Sequence, residues 1–513
     1  MPSPDEDAEA SPLIQEPQEH IHTQDDQQRT YGLGWGKDAL RNVGLAAAFL
    51  VLYAFADILK YISTVRLIEL GICREHYLQN GPGSDDNDYH KNIPEILCKL
   101  PSIQQQLAHL RGYLGTLEAI VGLVFTLPYG LLIDHLGERL VAGINVVGYL
   151  LSCAWIIIVC YCWQLLPIRS VVLAPLFRVI GGGSPILSSI IYSIAAKSTP
   201  HASRSLCFFF FMAVQLITEI ISITIAAELL DRELLFTPML LNFPVGLLCL
   251  ATLCIIRPGA AHPSTRQTQG SAYEPDRLAE GEPAAKILEA TTDSLLRKSS
   301  HILSELLHDW NVIALLVTVP VAKLVNPITE LMLQYIPKKF DLPLASASRA
   351  LSIQAAESLI VLAAILPILK NVSQGKFHAV PAKVDLFIAR YGFIAMSLGC
   401  LIMALSQALG GFVLGLLVFT LGCGARPALQ SLLTDLARRE HISILYAVIA
   451  VCDGIGSASG AFILNQSFAM ALGWDSQLYL GFPFIIGIAC YVFGFIASMS
   501  VGLTGTTGMI PQT

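Results

Sequence analysis

Twelve stretches of about 20 apolar residues recur along the chain, at roughly 43–63, 112–133, 140–163, 171–194, 206–229, 236–256, 311–333, 349–369, 389–409, 411–433, 442–467 and 478–502. At about 1.5 Å per residue, each is long enough as a helix to cross the roughly 30 Å hydrocarbon core of a bilayer. The first six are divided from the second six by a polar segment, 257–309, that opens with Arg257-Pro258-Gly259. Within it, Ile287, Leu288, Leu295, Leu296, Ile302 and Leu306 fall at helical spacing and predict a surface helix over Ala284–Trp310. The predicted organisation is an acidic cytosolic tail (1–41), an N-terminal six-helix bundle (42–256) with a long outer loop at 64–111, the cytosolic linker (257–309), a C-terminal bundle (310–502) and a short cytosolic tail (503–513). The fold class that follows is an all-α membrane protein, with twelve transmembrane helices in two pseudo-symmetric six-helix bundles.

Composition agrees with the pattern. Only 14% of the 513 residues are charged, against roughly a quarter in soluble domains. The net charge of -7 comes partly from Asp5, Glu6, Asp7 and Glu9 and argues against a nucleic-acid partner. The polar first 41 residues lack the apolar core of a cleavable signal peptide. With the N-terminus in the cytosol, the inner segments hold 18 of the 32 basic residues and the outer segments 10, which is the expected bias. Ten of the twelve cysteines sit in or beside apolar runs and read as small buried hydrophobes. Cys73 and Cys98 instead lie in the long outer segment, where disulfides persist, so a bond between them and two free thiols are both open readings.

Ten ionisable residues lie inside the predicted helices: Asp57, Lys60, Glu118, Arg178, Glu219, Lys323, Glu330, Glu357, Arg426 and Asp453. Each is unfavourable by roughly 2.5–3.5 kcal/mol at a helix centre unless it pairs or faces water. Six acids against four bases leave carboxylates without a private base, and an unpartnered buried carboxylate tends to hold a proton. Proton coupling through a polar central cavity is the resulting expectation. Lys60 and Glu330, near predicted helix ends, are expected to snorkel to the interface.

The two halves repeat the charge pattern. Arg111, Glu118 and Pro128 of helix 2 correspond to Arg349, Glu357 and Pro367 of helix 8. Arg178 of helix 4 corresponds to Arg426 of helix 10, and Glu219 of helix 5 to Asp453 of helix 11. Asp57 falls opposite Asn326. A duplicated six-helix unit of this kind binds its substrate near the midplane, between the repeats.

The segment joining helices 2 and 3 reads Gly130-Leu131-Leu132-Ile133-Asp134-His135-Leu136-Gly137-Glu138-Arg139. It resembles the signature of the major facilitator superfamily, Gly-x-Leu-x-Asp-(Arg/Lys)-x-Gly-(Arg/Lys)-(Arg/Lys). Gly130, Leu132, Asp134, Gly137 and Arg139 match, while His135 and Glu138 depart. The resemblance implies a cytosolic gate in which Asp134 pairs with a neighbouring base in one conformation and releases it in the other. Arg178-Val179-Ile180-Gly181-Gly182 resembles a second family motif, Arg-x-x-Gln-Gly, whose arginine lines the cavity and assists proton handling in relatives. The glycine- and proline-rich helix 5 signature of drug/proton antiporters is missing, and helix 5 begins Cys207-Phe208-Phe209-Phe210-Phe211 instead. That aromatic run reads as lipid-facing or packed, and the glycines at 181–183, 454, 456 and 460 as aids to close helix packing.

The expectation is a secondary active transporter of a small organic solute, proton-coupled and alternating-access, with efflux ahead of uptake. Its proton-coupling and cavity residues would be Asp57, Glu118, Arg178, Glu219, Glu357, Arg426 and Asp453. No cofactor or metal is expected, and the partners are the bilayer, protons and a small-molecule substrate bound by a monomer. A membrane enzyme lacks any His-Glu-x-x-His or Gly-x-Ser-x-Gly site to carry it. A nutrient sensor without flux is the remaining alternative. The plasma membrane and the vacuole are both open, since Glu9-Ala10-Ser11-Pro12-Leu13-Ile14 resembles an acidic dileucine sorting signal.

Overall fold

In hydrocarbon every backbone N–H and C=O must bond within its own segment, so the apolar stretches can persist only as helices. The computed structural model describes residues 37–80, 93–199, 204–256, 308–377, 380–436, 442–474 and 477–502, and the amphipathic linker segment and the tail signal lie outside them. The twelve predicted spans form α1 (Lys37–Asn80), α2 (Pro101–Leu136), α3 (Glu138–Tyr161), α4 (Ala174–Phe177, resuming as Gly183–Ser198), α5 (Arg204–Asp231) and α6 (Thr237–Leu240, then Asn242–Ile255) in the first half. The second half holds α7 (Trp310–Lys323, then Val325–Phe340), α8 (Leu344–Ile360, running on to Phe377), α9 (Pro381–Leu405), α10 (Leu409–Thr420, resuming as Ala425–Leu436), α11 (Ile442–Ala471) and α12 (Phe482–Met499). The two-bundle, twelve-helix architecture is the one the hydropathy pattern predicts.

Two expectations need correction. The outer loop predicted at 64–111 is mostly helix, because α1 runs for 44 residues, about 66 Å at 1.5 Å per residue and twice the hydrocarbon thickness. Its far end is covered by protein rather than water: Leu67, Ile68, Ile72 and Cys73 are buried. Arg66 and Glu69 break the apolar run, yet they satisfy each other inside the fold. Glu69 accepts from Arg66 Nη1 at 2.7 Å, Lys99 Nζ at 2.7 Å and Gln104 Nε2 at 2.6 Å. Cys73 and Cys98 are joined by a disulfide, which fastens the short 3-10 helix Glu95–Lys99 to α1.

The second correction concerns α4, predicted as one helix over 171–194. It breaks at Gly181, Gly182 and Gly183, whose φ angles of 106°, 79° and 79° are accessible chiefly to glycine. Asn145 of α3 bridges the break, its Nδ2 donating to the carbonyls of Gly181 at 2.6 Å and Gly183 at 2.7 Å. These glycines therefore do more than ease packing: they separate one helical segment, ending beside Arg178, from another that starts at Gly183.

The halves meet unevenly. At the end that carries the disulfide they share a core, with Ile62, Val65, Ala108, Ile223 and Ala226 packed among second-half residues such as Leu331, Met332 and Tyr335. Polar bonds follow the same seam: Gln334 Nε2 to Gln104 O at 2.7 Å, Lys338 Nζ to Lys99 O at 2.7 Å, the Leu344 amide to Glu95 Oε1 at 2.9 Å, and Arg349 Nη1 to Asp231 Oδ2 at 2.7 Å. His109 bonds Gln466 in the same layer. Among the described residues no bond or ion pair joins the halves at the opposite, Gly137 end. The described polar bonds between the halves thus gather toward the disulfide end.

Packing within the second half is tight where α7 crosses α11. A Cβ on Gly456 would sit 2.5 Å from the Pro320 carbonyl oxygen and 2.8 Å from its Cα. Gly456→Ala is expected to lower stability by about 1–3 kcal/mol, read as a drop in thermal midpoint in detergent. Gly44→Ala, where a Cβ meets nothing within 4 Å, is expected to leave stability unchanged or raise it by up to about 1 kcal/mol.

Glu95 makes the seam sensitive to acid. Burial alone would raise its carboxyl, but Lys99, Arg66 and the Leu344 amide together hold it below the usual carboxylate range. Such a group stabilises the fold above the unfolded value of about 4.3, and the contribution fades as pH falls through the lower folded value. Glu95→Gln should therefore melt below the wild type at neutral pH, with the gap closing as both are titrated below about pH 4.

Candidate functional site

The Arg178 guanidinium is fixed at the α4 break, 2% exposed, where an unpaired charge would be strongly destabilising. Its Nη2 donates to the Tyr53 hydroxyl at 2.9 Å and the Ser184 hydroxyl at 2.5 Å. Its Nη1 lies 3.5 Å from Glu118 Oε1 and 3.6 Å from Asp57 Oδ1. α1, α2 and α4 thus bring together three residues that the sequence reading grouped. The arginine is sealed while its partners are accessible, the Asp57 and Glu118 side chains being 41% and 44% exposed.

Lys60 corrects an expectation. It does not snorkel to an interface, because α1 continues 20 residues past it. It is buried, with Nζ 3.9 Å from Glu118 Oε1. Lys60 and Arg178 both approach the Tyr149 ring, at 5.3 and 5.4 Å from its centroid, a contact that favours cations. The Tyr149 hydroxyl donates to Asn242 Oδ1 at 2.7 Å. Tyr53, Tyr149, Ser184 and Asn242 escaped the sequence reading because it weighed only ionisable residues within spans; uncharged polar residues in the same spans were the available signal.

The second half does not copy this arrangement. Arg426 of α10 pairs with Asp453 of α11 rather than with Glu357. Glu357 of α8 faces Thr420 and Cys423, and its Oε2 has no hydrogen-bond partner among the described residues. Lys323, at the bend in α7, lies near Arg426, Asp453 and Glu330. The charges matched in sequence are therefore placed in matched helices but form different pairs.

Glu219 stands apart from the Arg178 set. It lines a cavity of about 320 Å³ between α1, α5, α7 and α8, together with Glu330, Tyr61, Asn326, Thr329 and Gln354. Glu330 is here a cavity residue, which corrects the expectation that it snorkels. Its backbone carbonyl accepts from Arg111 Nη2 at 2.7 Å and from the Tyr61 hydroxyl at 3.1 Å, so the seam closes directly above it.

In the Gly130–Arg139 segment, Gly137 turns the chain between α2 and α3 with φ 84°, a conformation that favours glycine. A Cβ on Gly130 would meet nothing within 4 Å, so packing in this conformation does not require a glycine there. Glu138 accepts from the Ser193 hydroxyl at 2.5 Å, tying the turn to α4. Arg139 is half-buried, with Nη2 lacking a hydrogen-bond partner among the described residues. The Asp134 side chain, and with it the pairing expected of it, lies outside the described residues. Among the described residues no cluster of His, Cys, Asp and Glu could hold a metal ion.

Comparison with known proteins places the fold. The sequence pattern of the Major Facilitator Superfamily matches residues 100–461. The chain is 27% identical over 449 residues to the MFS efflux pump atnC of Emericella nidulans, covering 85% of this chain and 83% of that one. It is 24% identical to the MFS transporter SAT21 of Stachybotrys chartarum, covering 87% and 95%, and 26% identical to the efflux pump ustT of Aspergillus flavus, covering 79% and 77%. Among solved structures, the nucleoside transporter NupG superposes with a TM-score of 0.57 at 12% identity over 91% of this chain and 100% of its own. A D-xylose-proton symporter superposes with a TM-score of 0.57 at 15% identity over 90% and 96%. These structures share the fold, and the extent of the sequence match settles membership: the chain belongs to the Major Facilitator Superfamily of membrane transporters.

Proposed function

We propose that the chain exports a small organic solute in exchange for protons, by rocking its two halves about the central cleft. The observation that carries the reading is the sealed Arg178 guanidinium held between two half-exposed carboxylates, Asp57 and Glu118. A proton arriving at either acid removes one of the two negative charges that compensate Arg178. A buried cation left short of charge is unfavourable by several kcal/mol, so the helices are driven to rearrange until another acid compensates it. Arg426 with Asp453, and Glu357 beside Thr420, would respond to protons on the other side of the cleft, and Glu219 within the cavity. Asp134 and Arg139 would act at the gate around Gly137.

Direction follows from two supports. The lysine and arginine bias places the disulfide end outside, so the cleft faces the cytosol and loads from there. Two relatives that match most of the chain, atnC and ustT, are named efflux pumps. Either the plasma membrane or the vacuolar membrane would suit this orientation.

The test is proton movement in proteoliposomes challenged with a panel of organic solutes. Substrate-dependent proton movement is expected, opposite in direction to the solute, and Arg178→Ala should reduce it at least about tenfold, given the 3–5 kcal/mol typical of breaking a buried pair. Glu118→Gln, Glu219→Gln and Asp453→Asn should each flatten the pH dependence of solute flux. Full pH dependence in all three would refute the proton coupling.

A further inference from the structure

We infer that the cavity between α1, α5, α7 and α8 binds an organic cation that donates hydrogen bonds, a protonated amine on an apolar body. This deepens the reading that a small organic solute passes through the cleft, and it rests on that reading only for the ligand's size. The cavity, about 320 Å³, lies within the range of roughly 300–1,000 Å³ common for small-molecule sites.

Two independent features point to the ligand, the first to its charge and the second to its hydrogen-bond donors. The first is the pair of carboxylates, Glu219 from α5 and Glu330 from α7, both lining the cavity. Among the described residues, no lysine, arginine or histidine nitrogen ion-pairs with either of them. Lys323 and Arg111 are the bases near Glu330, but Arg111 directs its Nη2 to the Glu330 carbonyl and the Tyr61 hydroxyl. The second feature is Gln354 of α8, only 6% exposed. Its Nε2 donates to the Thr329 hydroxyl at 2.9 Å, which leaves its Oε1 as a buried acceptor with no donor among the described residues, in a side chain on the cavity wall. A buried acceptor is unfavourable until a donor reaches it.

Two carboxylates and an amide carbonyl therefore line one space, and although Arg111 and Lys323 lie near Glu330, no base ion-pairs with either acid among the described residues. An anionic ligand would be repelled. A neutral polyol could serve Gln354 but would bring no cation to Glu219, with which no base ion-pairs among the described residues. An alkylammonium serves both, with N–H donors for Gln354 and a charge for the carboxylates, while Ile58, Ile223, Val325 and Leu351 accept its apolar body. The seam above Glu330 closes the disulfide side of the site, so the cation would enter from the opposite end of the cleft.

The experiment is equilibrium titration of the full chain in lipid nanodiscs with phenethylammonium chloride, phenylacetate and 2-phenylethanol, which share one apolar body and differ in charge. The ammonium is expected to bind with a Kd below about 1 mM, and the other two at least tenfold more weakly. Glu219→Gln and Glu330→Gln should each weaken the ammonium about tenfold, and Gln354→Leu should weaken it as well. As a check that needs no variant, phenethylammonium should protect Glu219 and Glu330 of the wild type from dicyclohexylcarbodiimide, read by peptide mass spectrometry. Absence of ammonium binding up to about 10 mM, equal binding of all three probes, or unprotected carboxylates would overturn the inference. Ammonium binding without flux in proteoliposomes would refute transport and keep the site; flux without ammonium binding would do the reverse.

Discussion

The constraint on which the site depends is the burial of Arg178 at the midplane of the bundle. A guanidinium cannot be deprotonated to escape its surroundings, so the protein must bring charge and acceptors to it. The glycine break in α4 lets the chain turn beside it, Asn145 holds that break open, and Tyr53, Ser184, Asp57 and Glu118 converge from three elements. Each of those contacts fixes a helix position. On the proposed function, a change in the charge of Asp57 or Glu118 would be felt as a change in helix packing.

The seam gives such a change a direction. Apolar and polar contacts between the halves gather at the disulfide end, and there backbone as well as side chains take part. The Cys73–Cys98 bond anchors the 3-10 helix whose Lys99 carbonyl and Glu95 carboxylate grip α7 and α8. Opening that end requires these bonds to break together, while the opposite end has no equivalent bonds among the described residues. Replaceable polar contacts at one rim are what the proposed rocking of the halves would break and re-form.

Much of this was legible in the sequence, and the parts that were not have physical reasons. Hydropathy located the helices because the bilayer imposes a length and an apolar composition on each. Arg178 and its acids stood out because charges in apolar runs are rare. The outer extension of α1 was read as loop because Arg66 and Glu69 resemble an interface, and only the fold reveals that Lys99 and Gln104 satisfy Glu69 from 30 and 35 residues away. The break in α4 was hidden because three glycines fit both a tight helix crossing and a turn. Equivalent positions in the two halves do not determine the pairs, because pairing depends on helix rotation, which sequence spacing leaves undetermined; Arg426 took Asp453 and left Glu357 to Thr420. Glu330 was misplaced because the second segment of α7 continues beyond the predicted span end.

The central claim is that the halves rock as rigid units between a state closed at the disulfide end and one closed at the Gly137 end. Electron-spin distance measurements test it most directly, with nitroxide labels at the exposed Leu234 and Trp474 for the disulfide end and at the exposed Leu140 and Val380 for the opposite end. On acidification in nanodiscs, the account expects the first distance to lengthen as the second shortens, with both changes smaller when Arg178 is replaced by alanine. Distances that stay fixed, or that change in the same direction at both ends, would contradict it.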